Sequence, residues 1–386
     1  MLIEKTLNRG VEKIIDKKHL KERMERGEKL RIKLGIDPTG PKLHIGRATQ
    51  LWKLKDFQEL GHQIVLIIGD FTALVGDASD KTSQRKALKP KEIEKNMKDY
   101  KEQIGKVLDL KKTEFRKNSE WLDKLKLKEI VSLAMNFTAQ QMIQRRNFKE
   151  RWDNNNPIGL QELLYPIMQG YDSVAVKADL EIGGSDQLFN LKVGREIQRI
   201  FDQSPQDIMI LEMLYGLDGR KMSTSWENVI NITDEPEEMY GKVMSMKDEL
   251  IESYFEIATR IPLKEIKEEI KKFPREAKAR LAKEITKMYH GTKKAEKAEK
   301  EFNRVFKEKK NPTEIPEFKV SQKEIFPLDL IYNSGLASSK SQAKRLIMEK
   351  AVKIDGKVLE NWKEKVKLKE GMIIRAGKRK FIKIKI

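Results

Sequence analysis

The chain has 386 residues, of which 79 are Lys or Arg and 60 are Asp or Glu, for a formal net charge of +19; cysteine is absent and histidine occurs four times. That composition excludes disulfides and thiolate metal sites, leaves little for a zinc centre, and predicts attraction to a polyanion, most simply nucleic acid. A Lys/Glu-rich surface of the heat-adapted kind would give a similar balance. The length suggests two or three domains. Residues 1–5 lack the apolar core of a signal peptide, and no apolar run reaches the roughly 18 residues of a membrane span, so a soluble, cytoplasmic protein without a membrane partner is expected.

Residues 3–28 read as charged helix on the outside of the first domain. Residues 30–36 alternate apolar and other side chains, as a strand does, and Asp37-Pro38-Thr39-Gly40-Pro41 must be loop. Residues 43–60 carry apolar side chains at helical spacing and end at Gly61 as a C-cap. A strand, a glycine-bearing turn and a helix start make a place for phosphate, where backbone N–H groups and the positive dipole end converge. Gly46 would let a ligand approach the backbone, and His44 could donate to a phosphate oxygen. A satisfied structural turn is the plainer alternative.

The apolar run within 62–71 fits a parallel strand buried on both faces, and residues 72–83 read as loop. Strand, helix and strand make a βαβ unit, so a doubly wound parallel sheet of Rossmann type is expected. Ligands bind beyond the carboxyl ends of such strands, where Asp37, His44, Thr72 and Asp77 fall. Residues 90–110 read as one long charged helix after Pro90, 113–118 as a strand and 125–146 as two amphipathic helices. Residues 159–172 form an apolar helix in which Tyr165, Gln169 and Asp172 stand at i, i+4 and i+7, on one face. That stripe is either a buried hydrogen-bond network or a ligand site.

Residues 176–182 read as a strand running into Gly183-Gly184-Ser185-Asp186-Gln187, where Asp186 at a helix start can grip a diol such as ribose. Residues 208–213 are the last strand, and Gly216-Leu217-Asp218-Gly219 leads into Arg220-Lys221-Met222-Ser223-Thr224-Ser225. Residues 235–307 are helical throughout and 308–322 are a polar, proline-marked linker. Residues 323–386 form a small basic α+β module with an Asp355-Gly356 hairpin, read as an RNA binder through Lys340, Lys344, Arg345, Lys378, Arg379 and Lys380. The expected domains are 1–225, with a helical insertion at about 115–160, then 226–307, the linker 308–322, and 323–386.

His44-Ile45-Gly46-Arg47 is similar to the HIGH motif of class I aminoacyl-tRNA synthetases, and Lys221-Met222-Ser223-Thr224-Ser225 to their KMSKS motif. Together with the Tyr165/Gln169/Asp172 helix and the Gly183-Gly184-Ser185-Asp186-Gln187 run, they make the chain resemble bacterial tyrosyl-tRNA synthetases over nearly its whole length. The C-terminal module is similar to the RNA-binding domain shared with a small-ribosomal-subunit protein and pseudouridine synthases. The resemblance implies that tyrosine is activated with ATP to tyrosyl-adenylate and transferred to the 3′ end of tRNA(Tyr), with Mg²⁺, in a homodimer built on the helices at about 120–160. No residue is assigned to a metal.

Carried over residue by residue, it places Asp77, Tyr165, Gln169 and the backbone at Thr72 on the α-ammonium, Asp172 on the phenol hydroxyl and Gln187 near the carboxylate. Asp37, Thr39, Gly46, Gly184, Asp186, Met222 and Ser223 would bind ATP. His44, Arg47, Lys221 and Thr224, with Lys81 and Arg85, would meet the phosphates. Met222 and Trp226 are expected to seat the loop by packing. Three positions depart from the family pattern: Arg47 replaces the second histidine of HIGH, Thr224 the second lysine of KMSKS, and Lys33 a tyrosine that shares the phenol hydroxyl in many relatives. A tryptophanyl-tRNA synthetase and a non-catalytic RNA-binding protein derived from a synthetase stand as alternatives.

Overall fold

The structure is a computed structural model that describes residues 2–77, 88–223, 226–308, 311–313, 315–377 and 380–386. Six strands, β1 (Val11–Ile15), β2 (Arg31–Ile36), β3 (Gln63–Ile68), β4 (Thr113–Lys117), β5 (Leu180–Gly184) and β6 (Asp207–Leu211), form one sheet in the order β1-β6-β5-β2-β3-β4. Every neighbouring pair is parallel except β1 with β6. Residues 64–68 of β3 are all buried, as befits a strand covered on both faces. The chain winds one way through β2, β3 and β4 and the other way through β5 and β6. The crevice at this switch lies beyond the carboxyl ends of β2 and β5, where ligands bind in such sheets.

Four local expectations need correction. Residues 3–28 are not one helix: β1 lies between the helices Leu2–Asn8 and Lys17–Glu25. As an antiparallel edge strand it keeps Glu12 and Lys13 exposed, which hid its strand character. Residues 90–110 break into Pro90–Met97 and Tyr100–Gly105. The second piece turns back on the first loop, where Tyr100 donates to Gly40 O and Gln103 donates to Pro41 O. Residues 72–83 open with a helical turn, Thr72–Val75. The helix expected to stop near 172 runs over Leu160–Val176 and ends at Lys177 with φ 49°, so β5 starts later than 176.

By compactness residues 235–307 do not form one bundle. Ser245–Tyr289 packs with Met1–Asp234 as one unit, whereas Glu235–Met244 belongs with His290–Ile386. In the second unit the helices Pro236–Met244 and Thr292–Phe306 meet through Tyr240 and Phe302, whose rings lie 5.3 Å apart. Its C-terminal part is a five-stranded sheet beneath the helices Pro327–Asn333 and Lys340–Met348, with Leu330, Ile331, Ala343, Ile347, Ile374 and Ile384 in the core. One of those strands, Glu317–Lys319, falls inside the expected linker and pairs with Lys380–Lys385. Asp355 (φ 44°) and Gly356 (φ 83°) make the expected tight hairpin turn. Among the described residues no helix is long and apolar enough to cross a membrane.

Candidate active site

A cleft of about 290 Å³ opens at the switch point and is lined from the ends of β2, β3, β5 and β6 and from the Leu160–Val176 helix. Asp37 follows β2 directly. Its Oδ1 accepts from the Thr72 hydroxyl at 2.8 Å and its Oδ2 from the Tyr165 hydroxyl at 2.9 Å. Gly69 makes this meeting possible, since a Cβ there would stand 2.0 Å from Asp37 Oδ1 and 2.3 Å from Thr72 Oγ1. Burial and the neighbouring Asp37 carboxylate hold the Tyr165 phenol well above its ordinary pKa, so it donates rather than ionises.

At the cleft floor Asp172 is only 4% exposed. Trp121 Nε1 donates to its Oδ1 at 2.7 Å, and Asn118 Nδ2 donates to its Oδ2 at 3.4 Å. Burial pushes this carboxyl up to about 7, against the pull of the Lys33 charge and the two donors. Lys33 itself is fully buried within β2. Its Nζ lies 2.9 Å from Glu181 Oε1 on the adjacent β5 and donates to Gln169 O and Ser173 Oγ. The position expected near the phenol hydroxyl therefore lies behind the cleft wall, in a buried ion pair.

The amide side chains form a second cluster. Gln169 Nε2 donates to Glu181 Oε1 at 3.1 Å, and Gln187 Nε2 donates to Asp77 Oδ2 at 2.6 Å. Asp77 Oδ1 takes Arg145 Nη2 at 3.4 Å.

At the other end, His44 is the N-cap of the Ile45–Glu59 helix and its Nδ1 accepts from the Arg47 backbone N–H at 3.3 Å. Burial, then the charges of Arg47 and Lys221, push its pKa down to about 3. A neutral ring with Nδ1 as acceptor carries its proton on Nε2, which leaves that nitrogen as a donor. The two motifs meet through the chain after the second: Ile45 N donates to Ile230 O, and Ile232 N to Leu43 O. Met222 packs where a Cβ on Gly46 would come within 2.8 Å of its Sδ. Lys221 Nζ reaches Asp186 Oδ2 at 3.2 Å. Asn228 ties the loop down, accepting from Ser223 N and donating to Lys221 O and Asp218 Oδ1. Arg47 turns back on the first loop, donating to Asp37 O and Thr39 Oγ1, both at 3.2 Å.

The cleft thus gathers Asp37, Thr39, His44, Gly46, Arg47, Thr72, Asp77, Tyr165, Gln169, Asp172, Gly184, Asp186, Gln187, Lys221 and Met222. Trp226 does not pack beneath the loop as expected. It is 52% exposed, and the Arg220 guanidinium covers its ring at 4.6 Å. Lys81, Arg85, Thr224, Lys378 and Arg379 lie outside the described residues. In the C-terminal module Lys340 pairs with Asp329, Lys344 sits 4.7 Å from the Trp362 ring centre, Arg345 pairs with Glu349, and Lys380 donates to Leu336 O. Sequence reasoning missed Asn118, Trp121, Arg145, Glu181, Asn190 and Asn228. Two of them carried a usable signal: Asn118, as the first residue beyond the carboxyl end of β4, and Glu181, as a charge inside a buried parallel strand.

The family model described as tRNA synthetases class I (W and Y) matches residues 24–307, and the S4 domain model matches 328–374. The tyrosine–tRNA ligase of Thermotoga maritima is 46% identical over 387 residues, covering 98% of this chain and 96% of that one. That of Moorella thermoacetica is 45% identical over 389 residues, covering 98% and 94%. Among solved structures, a C-terminally truncated mitochondrial tyrosyl-tRNA synthetase of Aspergillus nidulans gives a TM-score of 0.66 at 21% identity, covering 79% of this chain and 94% of that one. The Archaeoglobus fulgidus tyrosyl-tRNA synthetase complexed with L-tyrosine gives 0.62 at 23%, covering 78% and 99%. These two likenesses speak for the fold. With the matched family model and near full-length relatives added to the cleft, the chain belongs to the tyrosine–tRNA ligase family of class I tRNA synthetases.

Proposed function

We propose that this cleft joins tyrosine to ATP and then passes the tyrosyl group to tRNA(Tyr). In the first step a tyrosine carboxylate oxygen bonds to the α-phosphorus, the bond to the β-phosphate breaks, and pyrophosphate leaves with the electron pair. In the second a ribose hydroxyl at the tRNA 3′ end attacks the carbonyl and AMP leaves. A carboxylate needs no general base, so catalysis rests on positioning and on neutralising the departing charge.

Asp77, Tyr165, Gln169 and the Thr72 backbone hold the ammonium, and Gln187 lies by the carboxylate. The observation that carries this reading is Asp172, a carboxylate buried at the cleft floor with donors on both oxygens, suited to accept from a phenol. Asp37, Thr39, Gly46, Gly184, Asp186, Met222 and Ser223 cradle ATP. His44 Nε2, Arg47, Lys221 and Thr224, with Lys81 and Arg85, meet the phosphates. If Arg47 supplies a phosphate contact that Thr224 lacks, then Arg47→His and Thr224→Lys combine non-additively on adenylate formation.

Mg²⁺ enters as part of the nucleotide substrate. Asp37, Asp77 and Asp186 do not fit a protein-held ion, since Asp37 and Asp77 accept on both oxygens and Asp186 pairs with Lys221.

Leu127, Val131, Met135 and Trp152 before the cleft helix, and Leu160 at its start, leave large apolar side chains exposed, which supports a homodimer through this region. The C-terminal module binds the tRNA through Lys340, Lys344, Arg345, Lys378, Arg379 and Lys380, and the same reading places the protein in the cytoplasm. ATP–pyrophosphate exchange tests the activation step. Exchange is expected with tyrosine and not tryptophan; exchange driven by tryptophan, or none above background, overturns it.

A further inference from the structure

Asn190, on the helix Leu188–Ile200, is fully buried and lies outside the cleft lining. Its single amide nitrogen serves two residues that do line the cleft, donating to Gln169 Oε1 at 2.9 Å and to Gln187 Oε1 at 3.1 Å. Each glutamine turns its other end to a carboxylate, Gln169 to Glu181 and Gln187 to Asp77. Those carboxylates are held in turn by buried cations, Lys33 on Glu181 and Arg145 on Asp77.

The polarity of the chain follows from chemistry alone. An ionised carboxylate only accepts, so both glutamine NH₂ groups must face Glu181 and Asp77, and both carbonyl oxygens must face Asn190. Asn190 can meet two carbonyls only with its NH₂ end. Its own Oδ1 is buried and has no hydrogen-bond partner among the described residues. Only the donor half of the side chain is used.

We propose that Asn190 is a positioning residue for the substrate ammonium, through the orientation it imposes on Gln169 and Gln187. It leaves the second lone pair of Gln169 Oε1 turned to the cleft as an acceptor, and it keeps Gln187 on Asp77 so that this carboxylate stays in place. The inference rests on the reading that Asp77 and Gln169 hold the ammonium. Asn190→Asp replaces the donor with an acceptor at the same size, and no orientation of the two glutamines then satisfies all the groups. Asn190→Ala removes the partner with less strain.

The test compares Asn190→Ala and Asn190→Asp with the unaltered chain in tyrosine-dependent ATP–pyrophosphate exchange and in equilibrium binding of two analogues. Tyramine keeps the ammonium and lacks the carboxylate; 3-(4-hydroxyphenyl)propionate lacks the ammonium. Thermal melting is measured alongside. For Asn190→Ala the tyrosine KM and the tyramine Kd are expected to rise roughly tenfold, the scale of one lost buried hydrogen bond. The ATP KM stays unchanged, and the Kd of the propionate rises less than that of tyramine, because Gln187 keeps its bond to Asp77. Asn190→Asp moves the same two constants further, and if it does not fold the alanine variant decides. Unchanged tyramine binding overturns the inference, and so does an equal loss for both analogues, which would mean general loosening. Gln169→Ala and Asp77→Asn separate it from the reading beneath. If these two fail to weaken tyramine selectively, the ammonium assignment falls and takes this inference with it; if they do weaken it while Asn190→Ala does not, only the inference falls.

Discussion

The indole N–H of Trp121 donates to Oδ1 of Asp172 across 2.7 Å, at the floor of a cleft where that carboxylate has almost no contact with solvent. Burial raises the pKa of Asp172, while the Lys33 charge and then this bond favour the ionised acid, so the carboxyl is pushed up to about 7.

A phenol hydroxyl donates well only to the ionised acid. The tyrosine KM is therefore expected to rise as pH falls below about 7, and Asp172→Asn should flatten that profile and lower selectivity against phenylalanine by roughly 10- to 100-fold. Trp121→Phe removes the donor and should raise the midpoint by about one pH unit, the scale of a hydrogen bond to a charged group. Exchange kinetics from pH 5.5 to 9 would read both; a midpoint unmoved in Trp121→Phe refutes the coupling. The stability sign is fixed as well. A carboxyl raised in the folded state stabilises most at low pH, and this contribution is lost as pH rises through about 7.

His44 behaves in the opposite sense. Its folded pKa of about 3 lies below the usual imidazole value, so the unfolded chain takes up the proton first and stability is lost as pH falls from about 6.5 towards 3. At working pH the ring stays neutral and donates through Nε2. His44→Asn keeps an N-cap acceptor but withdraws that donor, so a fall in exchange rate of about 100-fold is expected with little change in melting temperature. A rate within a few-fold of the unaltered protein argues against the donor role.

Lys33 and Glu181 are both fully buried, and each is the other's charge partner. Lys33→Met leaves the carboxylate uncompensated and should cost about 3–5 kcal/mol in urea unfolding. Adding Glu181→Gln should recover much of that loss, because a neutral amide can still meet Gln169 and Gln206. If the double variant is no more stable than Lys33→Met, the pairing does not control stability.

Gly46 lies at the end of the cleft proposed for the nucleotide. A methyl group there would stand 2.8 Å from Met222 Sδ and 3.1 Å from the His44 ring, so Gly46→Ala should push the Lys221 loop outward. The ATP KM is expected to rise roughly tenfold with the tyrosine KM unchanged, and Met222→Ala in the same chain should restore part of it. Equal effects on both substrates would point to a wider distortion of the cleft.

Local pattern was enough to read the βαβ core, the turn and helix start at His44, the polar face of Tyr165, Gln169 and Asp172, and the basic C-terminal module. These features repeat at two or 3.6 residues, or follow turn chemistry, and so are written in neighbouring positions. What local pattern misread was β1, an edge strand whose exposed charges imitate a helix, and the run 90–110, bent by the bonds of Tyr100 and Gln103 to a distant loop. Tertiary structure alone decided the partners: Asp37 with Tyr165, 128 residues on, Trp121 with Asp172, and Asn190 between two glutamines. Lys33 and Glu181 stand between. A charge inside a buried parallel strand must be paired, so each signals that a partner exists, but only the register of β2 against β5 sets them side by side.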